Sequence, residues 1–222
     1  MPSIDKMVNS DIFPKGAVKG FASINYRLSG NSSDLHPTRH PDHIRDVRNA
    51  LAYMQRVYAI NNSYILVGHS VGATLTFQLL MGAEAAGEAM PDAPLPVVAV
   101  GLNGIYEFYA FAHRHGQSYI DFVAGALGPD QSKWNDAAPE RFKGSYKRSW
   151  PVPGRRAVIA SSPQDTLVDE IWESKKMADR LREDEVGFDF PRLKGDHDFV
   201  WQDGEQVAEL MAEVLKRLST LG

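Results

Sequence analysis

Cysteine is absent from the 222 residues, which removes disulfide frameworks, thiolate nucleophiles and cysteine-ligated zinc or iron–sulfur centres at once. Any chemistry must come from oxygen and nitrogen side chains. Long apolar runs are missing too. None reaches the ~18 residues of a membrane-spanning helix, and the first residues lack the charged-then-apolar pattern of a signal peptide. A cytoplasmic protein with no membrane partner is therefore the expectation. Charge of one sign is scarce: Lys+Arg 24 against Asp+Glu 28 leaves a net charge of -4, and no basic cluster is longer than a pair such as Lys147-Arg148 or Arg155-Arg156. That balance argues against a nucleic-acid surface. What remains, 43% hydrophobic and 23% charged residues, is the composition of a folded protein, and the length suits one domain over 1–222.

Periodicity along the chain alternates between two kinds. The runs Ala22–Tyr26, Tyr64–Val67, Val97–Leu102 and Ala157–Ala160 are short, apolar and β-branched, as expected of buried parallel strands, and Val186–Phe190 is strand-like. Between them, Ile44, Val47, Leu51, Met54 and Tyr58 recur at steps of three and four behind Pro41, predicting a helix that ends before Asn61-Asn62. Val71 to Met81 is apolar nearly all round, the pattern of a central buried helix. Val207, Leu210, Met211, Val214 and Leu218 give a last amphipathic helix, with Asp203 and Gln206 spaced as a cap. The alternation predicts an α/β fold, a mostly parallel sheet flanked by helices. Two stretches interrupt it. Met90–Pro96 holds three prolines and reads as a surface connection. Residues 106–153 are too long for a connection and are expected to form a helical insertion or cap over the sheet.

Gly68-His69-Ser70-Val71-Gly72 fits G-x-S-x-G between a predicted strand and a predicted helix, the context in which a serine sits on a sharp, strained turn with its hydroxyl above the strand ends. The amide of Val71 then supplies an oxyanion donor. Serine is a weak nucleophile near neutrality, so it needs a base, and the base needs an orienting acid. His197, in Gly195-Asp196-His197-Asp198-Phe199, and Asp165, beyond the strand Ala157–Ala160, both follow strand ends and complete the order Ser, Asp, His. Asp169 stays open as the acid, although Asp165 lies nearer the strand end. Asp196 and Asp198 read as a solvated turn. His69 reads as a packing residue, because its side chain points away from that of its neighbour. His36, His40 and His43 are spaced poorly for zinc, and neither metal nor cofactor is expected. His113 and His115 fall in the insertion. Tyr106, Phe108, Tyr109 and Phe111 form an aromatic cluster that either packs the insertion or, through Tyr106 and Phe108, lines a pocket for a flat substrate.

The elbow Gly68–Gly72, the stretch Gly20-Phe21-Ala22-Ser23-Ile24-Asn25-Tyr26-Arg27-Leu28, the helix opening His40-Pro41-Asp42-His43, the run Gly101-Leu102-Asn103-Gly104-Ile105-Tyr106 and the run Gly195–Phe199 together resemble the fungal-type kynurenine formamidase family of α/β-hydrolases over nearly the whole chain. The resemblance implies hydrolysis of N-formyl-L-kynurenine, or a similar aryl formamide, to formate and the amine, with Ser70, Asp165 and His197 in the triad positions. Two other functions fit the same residues. One is a carboxylesterase with this triad. The other is an inactive, shortened relative that only binds, favoured by one departure: the H-G-G-x-W motif, whose backbone amides supply part of the family's oxyanion hole, is absent. Residues Met1–Ser10 match the tail of the helix that follows that loop, so the likeness implies a chain lacking the family's first three strands. A slot between the Ala22 and Tyr64 strands is then expected to stand vacant. Either the 18–26 segment pairs directly with Tyr64–Val67, or that strand presents an unpaired edge that invites a homodimer.

Overall fold

A computed structural model describes residues 2–9, 11–13, 16–30 and 37–220. Helix α1 (Pro2–Asn9) and α2 (Asp42–Tyr58) precede strand β1 (Ile65–His69), which runs directly into α3 (Val71–Met81) and the short α4 (Ala83–Ala86). Strand β2 (Val98–Leu102) leads to α5 (Phe108–His115), α6 (Gln117–Leu127), two 3-10 turns (Gln131–Asp136 and Pro139–Arg141) and α7 (Tyr146–Ser149). After β3 (Arg156–Ala160) come a π-helical turn (Glu170–Lys175), α8 (Lys176–Glu183), β4 (Phe188–Asp189), α9 (Phe199–Asp203) and α10 (Glu205–Thr220). The strands form one parallel sheet in the order β1-β2-β3-β4, with Ile65 beside Val98, Val98 beside Arg156 and Ala157 beside Phe188.

The two-residue period of the strands divides their side chains between two cores. Ala99, Ala157 and Ile159 meet Ala73, Phe77 and Leu80 of α3 and Met177 and Leu181 of α8 on one face. Val98, Val100, Leu102, Val158 and Ala160 meet Val207, Met211 and Val214 of α10 on the other. Burying each large aliphatic side chain contributes roughly 1.5–3 kcal/mol. Because β2 is buried along its whole length, the sheet is anchored through its second strand. Helix α2 lays Ile44, Val47 and Leu51 against Leu75 and Leu79 of α3. Its stripe stops there, since Tyr58 at the helix end is exposed. At α10, Asp203 accepts from the amide of Glu205, but Gln206 turns away to clasp the backbone of Lys194, donating to its carbonyl and accepting from its amide. The expected reciprocal cap is therefore replaced by a tie to the preceding loop.

The predicted strand at Ala22–Tyr26 is not a strand. Residues 18–30 take no part in the sheet. Ile24 and Tyr26 pack against the α2–α3 cluster, and Arg27 is held by Asp46 through its amide and a two-pronged guanidinium contact. An apolar run becomes a strand only when a neighbouring backbone completes its ladder. Here the side chains find a helical surface instead. Direct pairing with Tyr64–Val67 does not occur, and among the described residues β1 is an outer strand.

The insertion is helical, as its length required. Ile105, Phe108, Phe111, Ala112, Val123 and Trp134 make its own apolar cluster, and Val71 at the start of α3 packs onto it. Trp134 and Trp150, both fully buried, donate their indole N–H groups to the carbonyls of Gly128 and Pro96.

Candidate active site

Ser70 joins β1 to α3 in a conformation few L-residues adopt, φ 55 and ψ -122. Holding it there stores about 1–3 kcal/mol. The turn is fixed by backbone bonds: Ser70 N–H donates to Leu102 O at 3.0 Å, and Ser70 O accepts from Ala73 at 3.0 Å. Of the two motif glycines, only Gly68 is required by space. A Cβ there would lie 2.1 Å from the carbonyl oxygen of Gly72, whereas one on Gly72 would meet nothing within 4 Å. Val71 opens α3, so its N–H is among the first-turn donors a helix leaves without an internal acceptor.

Asp165 lies on the loop after β3, its side chain fully shielded. One carboxylate oxygen, Oδ1, accepts from the amides of Leu167 and Val168 at 2.8 and 2.7 Å, while Oδ2 is 2.7 Å from Nδ1 of His197. An ionised carboxylate only accepts, so Nδ1 carries the proton and Nε2 is left as a proton acceptor. Asp169, the open alternative, is occupied elsewhere: its Oδ1 caps the π-helical turn, accepting from Ile171 at 2.7 Å and Trp172 at 3.0 Å.

Side chains that sequence reading set aside hold these loops together. Asp196 accepts from Thr166 N, Thr166 Oγ1 and His197 N at 2.8 to 2.9 Å. The amide donors of Thr166 and His197, and then the Thr166 hydroxyl, keep its carboxyl below the usual range. Asp196 thus lies in a solvated turn, as expected, and from there clamps the His197 loop to the Asp165 loop. Asp198 accepts from the indole of Trp201. Ser162 donates its hydroxyl to Gly195 O at 2.5 Å, and Gln164 accepts from Gly195 N at 2.7 Å. Buried Asn103, at φ 44 just beyond β2, accepts from Ser162 N at 2.8 Å. Asparagine tolerates that left-handed conformation, and its place between Leu102 and Gly104 at a strand end was the one sequence signal for it. His69 packs on His197, ring centroids 4.5 Å apart, with its Nε2 2.9 Å from His197 O. Burial, followed by the nearby His197, pushes its pKa down.

The aromatic candidates separate. Tyr106 is wholly buried, edge-on to Phe77, and its ring fills the space beside Gly101 and Gly104, where a Cβ would come within 2.0 and 2.4 Å of it. It cannot line a pocket, and its assignment to substrate binding is withdrawn. A segment returning from β2 carries its first large side chain inward, which an aromatic count does not reveal. Phe108, nearly buried, belongs to the cluster that Val71 touches. Tyr109 is half exposed and stacks on His113, while Phe111 is core. Glu173, missed entirely, is fully buried behind the insertion. It accepts from the amides of Tyr106 and Glu107 and pairs with Arg114 at 2.5 Å. Burial raises it to about 7 against those bonds and that cation. His36 lies outside the described residues, and His43 meets Ser29 Oγ at 3.0 Å. Among the described residues no three histidines or carboxylates gather as metal ligands, and no helix is long and apolar enough to cross a membrane.

The family described as "Alpha/beta hydrolase family" matches residues 11–210. Over 214 residues the chain is 32% identical to "Kynurenine formamidase avaC" of Aspergillus versicolor, covering 86% of this chain and 72% of that protein. It is 30% identical over 230 residues to "Kynurenine formamidase-like hydrolase fscH" of Fusarium equiseti, 92% and 72% of the two. Among solved structures, a truncated carbohydrate esterase from gut microbiota superposes with a TM-score of 0.66 at 17% identity, covering 89% of this chain and 73% of that one. The acetyl ester-xyloside bifunctional hydrolase from Caldicellulosiruptor lactoaceticus gives 0.64 at 18%, covering 89% and 71%.

Proposed function

Because this chain belongs to the alpha/beta hydrolase family and is a kynurenine formamidase-like hydrolase, we propose that it cleaves N-formyl-L-kynurenine, or a closely related aryl formamide, to formate and the free amine through Ser70, His197 and Asp165. The observation that carries this reading is the 2.7 Å bond between Asp165 and Nδ1 of His197, formed by residues from two separate loops, with the His197 ring 4.5 Å from that of His69, the neighbour of the strained Ser70.

In this mechanism Nε2 of His197 takes the Ser70 proton as Oγ attacks the formyl carbon. Asp165 holds the tautomer and steadies the imidazolium. The oxyanion that forms lies at the N–H of Val71. His197 then gives its proton to the aryl nitrogen as the carbon–nitrogen bond breaks, leaving Ser70 formylated. Water, deprotonated by His197, attacks that ester and releases formate. A formyl group offers only hydrogen beyond its carbonyl, so discrimination falls to the leaving amine. Val71 and Leu167, partly buried against Ile105 and Phe108, are the apolar side chains suited to its ring. No cofactor enters this scheme.

The test pairs a fluorophosphonate probe with turnover of N-formyl-L-kynurenine and of a simple aryl ester. Labelling lost in Ser70→Ala, with formamide turnover exceeding ester turnover in the parent, is the expected result. Activity in Ser70→Ala within a few-fold of the parent overturns the triad, and ester turnover alone makes the chain a carboxylesterase.

A further inference from the structure

We propose that His69 is a positioning residue that sets the distance between His197 and Ser70, a role that rests on reading Ser70, His197 and Asp165 as the reacting set. The base loop is tied to the acid loop several times over, through Ser162 and Gln164 to Gly195 and through Asp196 to Thr166. Those bonds fix the base relative to its acid. They say nothing about its distance from the nucleophile. Of the bonds described above, only that from His69 Nε2 to His197 O, 2.9 Å long, joins the base loop to the elbow. His69 and Ser70 are consecutive residues at the end of β1, so this bond refers the base to the nucleophile's own backbone.

Its chemistry suits that task. A carbonyl oxygen only accepts, so Nε2 of His69 must carry hydrogen, which fixes its tautomer. The two imidazoles lie 4.5 Å apart at 44°. A charged His69 there would oppose the imidazolium that His197 becomes during each turnover. A neutral one presents ring density to it. Partial burial of His69 keeps it in the neutral form. The bond spans 128 residues of sequence and closes the base loop onto the sheet at the point where small displacements matter most. A misplacement of 1 Å at a reacting group can cost about 10²-fold in rate.

The experiment compares His69→Phe, which keeps a ring and loses the donor, with His69→Gln, which keeps a donor and loses the ring. Turnover of p-nitrophenyl acetate is normalised to folded protein, and the second-order rate of fluorophosphonate labelling is measured alongside it. The expected result for His69→Phe is a fall in kcat of about tenfold or more with KM little changed, a parallel fall in labelling rate, and partial recovery of both in His69→Gln. Should His69→Phe fail to fold, His69→Leu, equally unable to donate, is read in its place. A kcat within about twofold of the parent, or equal losses in the donor-keeping and donor-lacking variants, overturns the proposal. A parent chain that takes no label at all overturns the triad reading, and the positioning role falls with it.

Discussion

The two flanks of Ser70 are built differently. On the side of β2, β3 and β4, the residues after each strand are stitched together: Asn103 to Ser162, Ser162 to Gly195, Asp196 to Thr166, Asp165 to His197 and His69 to His197. On the other side, β1 is an outer strand among the described residues, and the 18–30 segment packs by side chains without joining the ladder. Asp165 and His197 are therefore held by a network in which each bond supports the next. Among the described residues the other flank is held by the apolar contacts of Ile24 and Tyr26 and by the Arg27–Asp46 and Ser29–His43 pairs.

Substitutions can break that contrast, beginning where the effect is largest. Asp165→Asn removes the acceptor that fixes His197, and kcat for N-formyl-L-kynurenine should fall by about 10⁴-fold. Asp169→Asn, whose amide oxygen can still accept from Ile171 and Trp172, should change stability by no more than about 0.5 kcal/mol and leave kcat within a few-fold. Steady-state kinetics and urea titration of the two variants decide between them, and the reverse ranking moves the acid to Asp169. Gly68→Ala forces a Cβ to within 2.1 Å of Gly72 O, so a loss of more than about 4 kcal/mol is expected, while Gly72→Ala should fold. Circular dichroism melts of both read this directly.

Glu173 tests the far end of the stitched side. Its carboxyl has an ordinary value of 4.5 and is raised by burial to about 7 in the fold, so between those two values the folded chain binds the proton more tightly than the unfolded one. Stability should therefore fall as pH rises through this window and flatten above it. Unfolding free energies measured across pH 4.5–7.5 should show this slope in the parent and lack it in Glu173→Gln. The smallest effect belongs to the open flank. Arg27→Ala removes an exposed pair with Asp46, for which Tm should drop by no more than about 2–4 °C and kcat should not change.

Much of this molecule was legible in the chain. The elbow and the helix Val71–Met81 stand where local pattern put them, because a sharp strand-to-helix turn and an all-round apolar helix are each specified within about a dozen residues. Four of the strand-like runs became β1 to β4, each with a neighbouring strand to complete its ladder. What failed was of another kind. Ala22–Tyr26 has strand composition, yet a strand requires a neighbour, and Tyr106 has the look of a pocket residue until the return from β2 turns it into the core.

Sequence by itself determined which residues could do chemistry: no thiol, a serine between glycines, and an aspartate and a histidine after later strands. Only the tertiary structure decided their partners. Asp165 and Asp169 are the same residue type four positions apart, and the difference between them is that one oxygen of Asp165 faces a histidine 32 residues away, while Asp169 spends its side chain on its own helix. His69 acquires its role from a carbonyl 128 residues distant. Local propensity is set by neighbours along the chain, whereas a hydrogen bond between loops exists only once the sheet has brought their ends to one edge.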